Sequence, residues 1–347
     1  MNLNDNYILI SDIHFGMKKN SMQYFDEQMN FFNKQFFPYI KDKAIKQVIH
    51  LGDFFDNRKN IDVYILNRII AEFISFFEEN QIEFISLVGN HDSYFKSSIN
   101  PNSLSVFKEF KFIKIIDTLT IIDNNLFVPY CNNYNENDLK EFCKKYDKIF
   151  GHFEINGFEF IKGIFCQNGI DKNIFNKDTR IYSGHFHSKQ EKGNILYIGS
   201  PFYDNWNSLN EQRGFYHNKF NEFIFIENTT SRKYVEIKDY NSYKEFENIE
   251  NNYIRIIIND NDIKDNNFIE FKQKIESLNA YSIDIVFDSN KKEEDIVLEL
   301  KDYDLSNLYD YKKLFYDYTD SIELPKELNK NTMKNIIDNL LEGVNND

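Results

Sequence analysis

The sequence predicts an α/β fold in which two sheets pack face to face and helices cover the outside. The first 95 residues alternate short apolar runs with longer stretches whose apolar residues recur at helical spacing. From about residue 110 to residue 230, short apolar runs follow one another with few helical patterns between them. A change of pattern after residue 230 predicts a smaller second domain.

The predicted strands are short apolar runs, most of them closed by Gly, Asp, Asn or His. The chain begins with a predicted β-α-β-α-β segment, whose strands are YILI (7–10), QVIHL (47–51) and FISLV (84–88) and whose helices span 22–40 and 63–80. The later candidates are FIKII (112–116), LTIID (119–123), NLFVPY (125–130), DKIFGH (147–152), RIYSGH (180–185), NILYIG (194–199), GFYHN (214–218) and EFIFIE (222–227). Residues 1–230 are therefore expected to form one large domain.

The rest of the chain predicts a small α/β domain at 231–298 and C-terminal helices at 299–347. YIRIIIND, FIEFKQKIESL and YSIDIVFD have the patterns of a strand, a helix and a strand. The last helical pattern carries an apolar stripe, made of Leu328, Ile336, Ile337, Leu340 and Leu341. The pattern alone leaves open whether this stripe packs on its own domain or binds a partner.

The charge argues against a protein that coats nucleic acid by itself, because such binding depends on Lys and Arg. The net charge is -14, of which -4 falls in residues 1–230 and -10 in residues 231–347. The acidity therefore lies mainly in the C-terminal third.

Cysteine usage and hydropathy predict a cytoplasmic protein. Cys131, Cys143 and Cys166 are odd in number and have no CxxC spacing, so we expect reduced packing residues rather than disulfides or structural zinc. No apolar stretch approaches the roughly 18–20 residues of a membrane helix, and the N-terminus lacks the features of a signal peptide.

Five polar segments stand at the ends of predicted strands: SDIH (11–14), GDFFD (52–56), GNHD (89–92), GH (151–152) and GHFH (184–187). Loops beyond strand ends are where open α/β sheets place their sites. In SDIH and GHFH the polar residues are two apart, so on an extended chain both side chains point the same way. The glycines allow the tight turns that bring such loops together.

The candidate ligands predict a site for more than one metal ion. They are carboxylates, imidazoles and an amide, with no thiolate, which suits Mn, Fe or Zn in open five- or six-coordinate geometry. Their number is too large for one ion.

These motifs resemble those of the calcineurin-like metallophosphoesterase superfamily, whose pattern is DxH, GDxxD, GNHD, GH and GHxH. The resemblance spans residues 7 to about 225 and departs at no ligand position. Within the superfamily the chain looks most like the SbcD-type exonuclease subunits of double-strand-break processing complexes, in particular their tailed-phage recombination versions. GHFEINGFEFIKG (151–163), GSPF (199–202) and RGFY (213–216) carry this narrower similarity.

The resemblance implies two divalent ions, most readily Mn²⁺, that share one carboxylate. One ion would be held by Asp12, His14, Asp53 and His187, and the other by Asp53, Asn90, His152 and His185. Two such ions lower the pKa of a shared water and neutralise phosphoryl oxygens during in-line attack.

The resemblance also implies roles beside the ligands. His91 would face the substrate, stabilise charge on the phosphate and protonate the leaving oxygen. Asp56 would orient the His91 imidazole and hold it cationic, although a turn-capping role is the alternative. Arg58 would reach a substrate phosphate, or else lie solvated in its loop. We expect Asp92 to fix its loop.

Two further histidines are expected to lie outside the site. His50 falls inside the strand QVIHL, out of phase with the loop ligands, and is expected to pack in the core. His217 follows GFY and has no evident partner.

For the whole chain the resemblance implies a Mn-dependent DNA exonuclease and single-strand endonuclease of repair and recombination. Residues 231–298 would form a capping domain that presents DNA, and 299–347 would bind the coiled coil of an SbcC-type ABC ATPase. A homodimer would form through the helices after the first two strands, including MQYFDEQMNFFNKQFF (22–37). If the gene is phage-borne, the cytoplasm is that of the host.

Two other functions remain open from the sequence. A phosphatase or nucleotide phosphodiesterase would use the same site. A scaffold that has lost its chemistry is disfavoured because every ligand position and His91 are intact.

Overall fold

The structure is a computed structural model that describes residues 2–95, 97–130, 136–143, 145–259, 262, 265–287, 330 and 334. The chain divides into two compact units, Met1–Glu293 and Glu294–Asp347. Apart from Lys330 and Lys334, the predicted C-terminal helices lie outside the described residues, as does Cys131. Cys143 and Cys166 are buried and free, as expected of packing residues.

The first sheet has six strands in the order β16-β15-β1-β2-β3-β6. Strands β1, β2, β3 and β6 are parallel, and β15 and β16 add an antiparallel edge. Their bounds are β1 Asn6–Ile10, β2 Gln47–His50, β3 Glu83–Leu87, β6 Ile113–Ile116, β15 Gly214–Lys219 and β16 Glu222–Glu227. The parallel pairing brings the carboxyl ends of β1, β2 and β3 to one edge of the sheet.

The second sheet also has six strands, in the order β13-β14-β12-β9-β8-β7. Strands β8, β9, β12 and β14 are parallel, with β7 and β13 antiparallel at the two edges. Their bounds are β7 Thr120–Ile122, β8 Asn125–Val128, β9 Lys148–His152, β12 Arg180–Gly184, β13 Gln190–Lys192 and β14 Ile195–Tyr197. Two short hairpins, β4 Ser93–Phe95 with β5 Ser98–Asn102 and β10 Glu159–Ile161 with β11 Ile164–Phe165, lie outside both sheets.

The two sheets pack face to face through alternating side chains. On β1, Tyr7 and Leu9 join a buried cluster that includes Phe127 and Phe150 of the second sheet. The intervening Ile8 and Ile10 belong to a different cluster, formed with the helices on the outer face. Because successive side chains of a strand point to opposite faces, this division defines a sandwich, and the predicted fold class is confirmed.

Two long helices cover the outer face of the first sheet. The first runs through Met22–Phe31, Phe32–Phe36 and Phe37–Asp42, and the second through Val63–Arg68, Ile69–Ile74 and Ser75–Asn80. In each, the middle segment has π-type hydrogen bonding, which adds a residue to the turn. Ser21 caps the first helix and Asp62 the second by accepting hydrogen bonds from backbone N–H groups.

The first helix turns its aromatic residues inward. Phe25, Phe31, Phe32, Phe36 and Phe37 are all buried in the core that this helix forms with the first sheet. The stretch 22–37, considered above as a dimer surface, therefore has only its remaining, mostly polar face for contact with another molecule.

A third sheet follows the sandwich and contains β17 (Tyr234–Ile237), β18 (Tyr253–Ile258) and β19 (Ser282–Phe287), all parallel. The helix Asn266–Ser277 connects β18 to β19 and buries Phe268, Phe271 and Ile275 against this sheet. The predicted strand, helix and strand are confirmed, and β17 is an additional strand. Among the described residues, no helix is long and apolar enough to cross a membrane.

Candidate metal centre

The five polar segments converge where strands of both sheets end. SDIH, GDFFD and GNHD follow β1, β2 and β3, while GH ends β9 and GHFH follows β12. Within these segments, ligand atoms lie within 4.8 Å of one another in three groups: Asp12 with His14 and His187, Asp53 with His152 and His185, and His14 with Asp53 and His91. Seven of the predicted site residues are thus brought together.

One half of the cluster consists of Asp12, His14, Asp53 and His187. In it, the imidazoles of His14 and His187 face each other. The Nε2 atoms of His14 and His187 are 3.1 Å apart, and His14 Nε2 is 3.7 Å from Asp53 Oδ2. His187 Nδ1 lies 2.7 Å from a carboxylate oxygen of Asp204. Because an ionised carboxylate only accepts, Nδ1 donates that hydrogen bond, and Nε2 is left to face His14.

The other half consists of Asp53, Asn90, His152 and His185. In it, two imidazoles face the side-chain oxygen of Asn90. His152 Nδ1 is 2.7 Å from the Leu51 carbonyl, which can only accept, so Nε2 is left to face Asn90 Oδ1 at 2.8 Å. The same Nε2 is 3.4 Å from Asp53 Oδ2. His185 Nδ1 lies 2.9 Å from Asn90 Oδ1.

This concentration of acceptors fits divalent cations. Lone pairs and carboxylate or amide oxygens that face one another repel unless a proton or a metal ion lies between them. Burial lowers the pKa of His152, but the Asp53 carboxylate outweighs burial and raises that pKa to about 9. Burial likewise lowers the pKa of His14, and Asp56 and Asp53 raise it to about 9. The carboxylate of Asp53 acts on both halves, which fits the bridging role expected for it.

Several candidate ligands have strained backbones. Asp12, His14, Asp53 and His185 have φ values of 52°, 51°, 59° and 91°, in the left-handed region that non-glycine residues rarely enter. Such strain is concentrated at functional sites, where the surrounding structure enforces it. The extended-chain argument for SDIH and GHFH is therefore wrong, because Asp12, His14 and His185 are not extended. Moreover, His185 and His187 join different halves of the cluster.

Asp92 holds the loops in place. Its buried carboxylate accepts hydrogen bonds from the backbone N–H groups of Asp53, Phe54, Phe55 and Gly89, at 2.9–3.3 Å. The expectation that Asp92 fixes its loop is confirmed. Gly89 is required beside it, since a Cβ there would lie 2.1 Å from Asp53 Oδ1.

His91 lies beside the cluster and is fixed from two sides. Its backbone N–H donates to Asp53 Oδ1 at 2.8 Å, and its Nδ1 is 2.6 Å from the carbonyl oxygen of Asp56. Nδ1 must donate to that carbonyl, which leaves Nε2 for other contacts. The ring stands edge-on to His14, with 4.8 Å between centroids.

The expected contact of the Asp56 carboxylate with His91 needs correction. The carbonyl of Asp56 orients the imidazole, while its carboxylate lies 3.6 Å from His14 Nδ1. The expectation of a cationic His91 is not supported either, because burial lowers its pKa despite the opposing charge of Asp53. The carboxylate is therefore placed to support a candidate ligand, His14.

The remaining polar candidates are one arginine and two histidines. Arg58 is half-buried in the loop after Asp56. His50 is buried in β2, where its Nδ1 is 2.8 Å from Ser86 Oγ and its ring stacks on Phe84. His217 lies between the hydroxyl of Tyr39, at 2.9 Å, and Asn6 Oδ1, at 2.7 Å.

The structure adds supporting residues that were not named as site residues from the sequence. Ser200 donates from its hydroxyl to the Asp12 carbonyl at 3.0 Å and from its N–H to the His187 carbonyl at 2.9 Å. The GSPF motif thus links the two loops. Asp204 contacts His187, and Glu154 lies 3.9 Å from His185 Nε2. GSPF was a visible signal for Ser200, whereas no spacing rule indicates Asp204 or Glu154.

Fold and site together define a phosphoesterase of the two-sheet class, and comparison with known proteins agrees. Residues 6–211 match the family model described as Calcineurin-like phosphoesterase. The match covers more than half of the chain, so the chain belongs to this family, and the prediction of a phosphoester hydrolase is confirmed at that level.

Two particular proteins show what the chain is similar to. Exonuclease subunit 1 of Enterobacteria phage T4 is 28% identical over 326 residues, which span 90% of this chain and 93% of that protein. Among solved structures, nuclease MPE of Pseudomonas putida aligns with 12% identity and a TM-score of 0.31, over 63% of this chain and 87% of that one.

Proposed function

We propose that this protein is a Mn²⁺-dependent DNA nuclease that hydrolyses phosphodiesters as an exonuclease and as a single-strand endonuclease. The observation that carries the proposal is a two-part ligand cluster sharing Asp53, in a chain that is similar over 90% of its length to a phage exonuclease subunit. The oxygen and imidazole donors suit Mn²⁺, and the cluster formed by the described residues contains no thiolate, which disfavours a closed structural zinc site.

The proposed ligands divide between two ions. Asp12, His14, Asp53 and His187 would hold one, and Asp53, Asn90, His152 and His185 the other. When bound, such a pair supplies a hydroxide from a shared water and neutralises the phosphoryl oxygens.

His91 is the proposed proton donor to the leaving oxygen. Its Nδ1–H is committed to the Asp56 carbonyl and burial lowers the pKa of the ring, so Nε2 would take up the proton that the attacking water releases and then give it to the leaving oxygen. Arg58, half-buried in the neighbouring loop, would contact a further phosphate of the strand.

The protein is proposed to work as a subunit. The phage relative is itself called a subunit, and by the resemblance residues 299–347 would bind an SbcC-type ABC ATPase in the cytoplasm of the host. Residues 231–298 would be the capping domain that presents DNA.

A homodimer is proposed through the start of the second long helix rather than through 22–37. Val63 and Tyr64 lie in its first turn and are 71% and 62% exposed, whereas the phenylalanines of the first helix are buried. Exposed apolar side chains at the start of a helix are available to a second copy of the chain.

A substrate comparison tests the activity. Purified protein is assayed with Mn²⁺ on end-labelled duplex and single-stranded DNA, on a cyclic nucleotide and on p-nitrophenyl phosphate, with and without the candidate ATPase. We expect DNA to be cleaved with the highest kcat/KM. Preferential hydrolysis of the cyclic nucleotide or of p-nitrophenyl phosphate would contradict the proposal and favour a phosphodiesterase or phosphatase.

A further inference from the structure

Asp204 lies at a junction between the candidate metal centre and the sheet β17-β18-β19. Its side chain is nearly inaccessible to solvent. One carboxylate oxygen, Oδ2, accepts the hydrogen bond from His187 Nδ1 at 2.7 Å. The other, Oδ1, accepts from Ser208 Oγ at 2.6 Å and from the N–H of Asn205 at 3.0 Å. Both oxygens therefore have partners, and the carboxylate has one defined orientation.

Arg213 connects the partner of this carboxylate, Ser208, to the main chain of His187. Its buried guanidinium donates to Ser208 Oγ at 3.1 Å and to the carbonyl oxygen of His187. It also forms an ion pair with Glu211, with 2.7 Å between the charged atoms. The main chain and the ring of His187 are thus held by one connected set of buried polar groups.

The backbone of Asp204 is held by the third sheet. The hydroxyl of Tyr234, on β17, donates to the Asp204 carbonyl at 3.1 Å, and Lys18 Nζ donates to the same hydroxyl at 3.2 Å. The Tyr234 ring stacks on Tyr253 of β18 at 4.7 Å and meets Trp206 edge-on at 4.8 Å.

A second contact reinforces this docking. Arg255 of β18 lies over the Trp206 ring, with 3.9 Å from the guanidinium carbon to the centroid. Trp206 begins the short helix Trp206–Ser208, which also contains the Ser208 that donates to Asp204. The sheet therefore packs on the same few residues that orient His187.

We propose that Asp204 is a positioning residue that holds His187 with Nε2 turned toward the metal centre, and that Tyr234 makes this orientation depend on docking of the β17-β18-β19 sheet. The inference rests on the metal binding in the proposed function. A carboxylate that accepts from one imidazole nitrogen fixes the tautomer and makes the other nitrogen a better ligand.

The experiment measures Mn²⁺ binding by calorimetric titration and by elemental analysis after dialysis. Asp204→Asn keeps the side-chain size but removes the charge. We expect the ion held by His187 to bind about 10- to 100-fold more weakly. The dialysed variant should therefore retain one ion where the wild-type protein retains two. The matched control is Asp265→Asn. The Asp265 carboxylate likewise accepts from a side-chain hydroxyl, that of Tyr240, and from a backbone N–H, but it lies at the start of the helix that connects β18 to β19.

Two tyrosine variants test whether the orientation of His187 depends on docking of the third sheet. Tyr234→Phe removes the hydrogen bond to Asp204, and we expect Mn²⁺ affinity at the His187 half to fall about 2- to 10-fold. Tyr24→Phe is the control, since Tyr24 is buried beside Lys18 and its hydroxyl has no hydrogen-bond partner among the described residues. Equal affinities in the two variants would overturn the dependence on the sheet.

Thermal melting in EDTA separates folding from metal binding. If Asp204→Asn melts far below the wild-type protein, Ser208→Ala replaces it, because that variant keeps the carboxylate and removes only one of its partners. A smaller loss of affinity in the same half is then expected. Two ions bound with unchanged affinity in both variants would overturn this inference alone, whereas wild-type protein that binds no Mn²⁺ would contradict the proposed function.

Discussion

Replacing Asp92 with alanine should destabilise the protein, because it removes the hydrogen bonds that hold two loops of the candidate metal centre together. The change removes the carboxylate that accepts hydrogen bonds from the backbone N–H groups of Asp53, Phe54 and Phe55 in GDFFD and of Gly89 in GNHD. A buried donor left without an acceptor costs about 1–3 kcal/mol, so four donors set an upper bound of roughly 4–12 kcal/mol. Water that enters the vacated space can satisfy two or three of them. We therefore expect a loss of about 3–5 kcal/mol in the free energy of unfolding.

Urea unfolding in EDTA measures this loss without a contribution from metal. The control is Asp239→Ala, because Asp239 also accepts from a backbone N–H and a hydroxyl but is exposed, and little change is expected there. Elemental analysis should also show that Asp92→Ala retains less Mn²⁺, since the Asp53 loop loses its support. A loss below about 1 kcal/mol, the value of a single ordinary hydrogen bond, would refute the idea that Asp92 anchors both loops.

Three further substitutions separate binding from chemistry. Asp53→Ala should remove both ions, measured by elemental analysis of dialysed protein, because both halves of the cluster share this carboxylate; retention of two ions would exclude a bridging role. His91→Gln should keep two ions and lose about 10²- to 10⁴-fold in kcat on DNA. The buried His217→Gln serves as its control, and loss of metal from the His91 variant would show that His91 is a ligand. Gly89→Ala should lower Mn²⁺ affinity, measured by calorimetry, because its Cβ would lie 2.1 Å from Asp53 Oδ1 and must displace that carboxylate; unchanged affinity would contradict the close approach.

The sequence predicted where the site would be because each motif can be recognised from a few neighbouring residues. Each motif follows an apolar run, and parallel strands place their carboxyl ends at one edge, so Asp12, Asp53 and Asn90 could be expected to meet. The reason given for SDIH was nevertheless wrong. Asp12 and His14 converge because both adopt left-handed backbones, which hydrogen bonds to Gly52 and Asp53 of the next loop maintain.

The supporting residues could not be predicted because they act through contacts between distant segments. Asp204 and His187 are 17 positions apart, and the third participant, Tyr234, is 30 positions beyond Asp204. No periodicity relates such positions. Likewise, the carbonyl rather than the carboxylate of Asp56 orients His91, and a main-chain contact leaves no trace in residue type.

Strands were predicted well where the apolar run was continuous and poorly where polar residues interrupt it. Strands β1, β2 and β3 lie within a residue of their predicted bounds, whereas β17 and the hairpins β4-β5 and β10-β11 were missed. The missed strands have sequences such as YVEI (234–237) and SINPN (98–102), in which polar residues or proline interrupt the apolar run. The π-type segments in both long helices add a residue to the turn without changing which residues are apolar.

The most direct test of the central claim is a crystal structure of the protein grown with Mn²⁺ and recorded at a wavelength where manganese scatters anomalously. We expect two anomalous peaks roughly 3.5–4 Å apart. One should lie between His14 and His187, the other among Asn90, His152 and His185, and the Asp53 carboxylate should contact both. A single peak, or two peaks that do not share Asp53, would contradict the two-ion site on which the proposed nuclease depends.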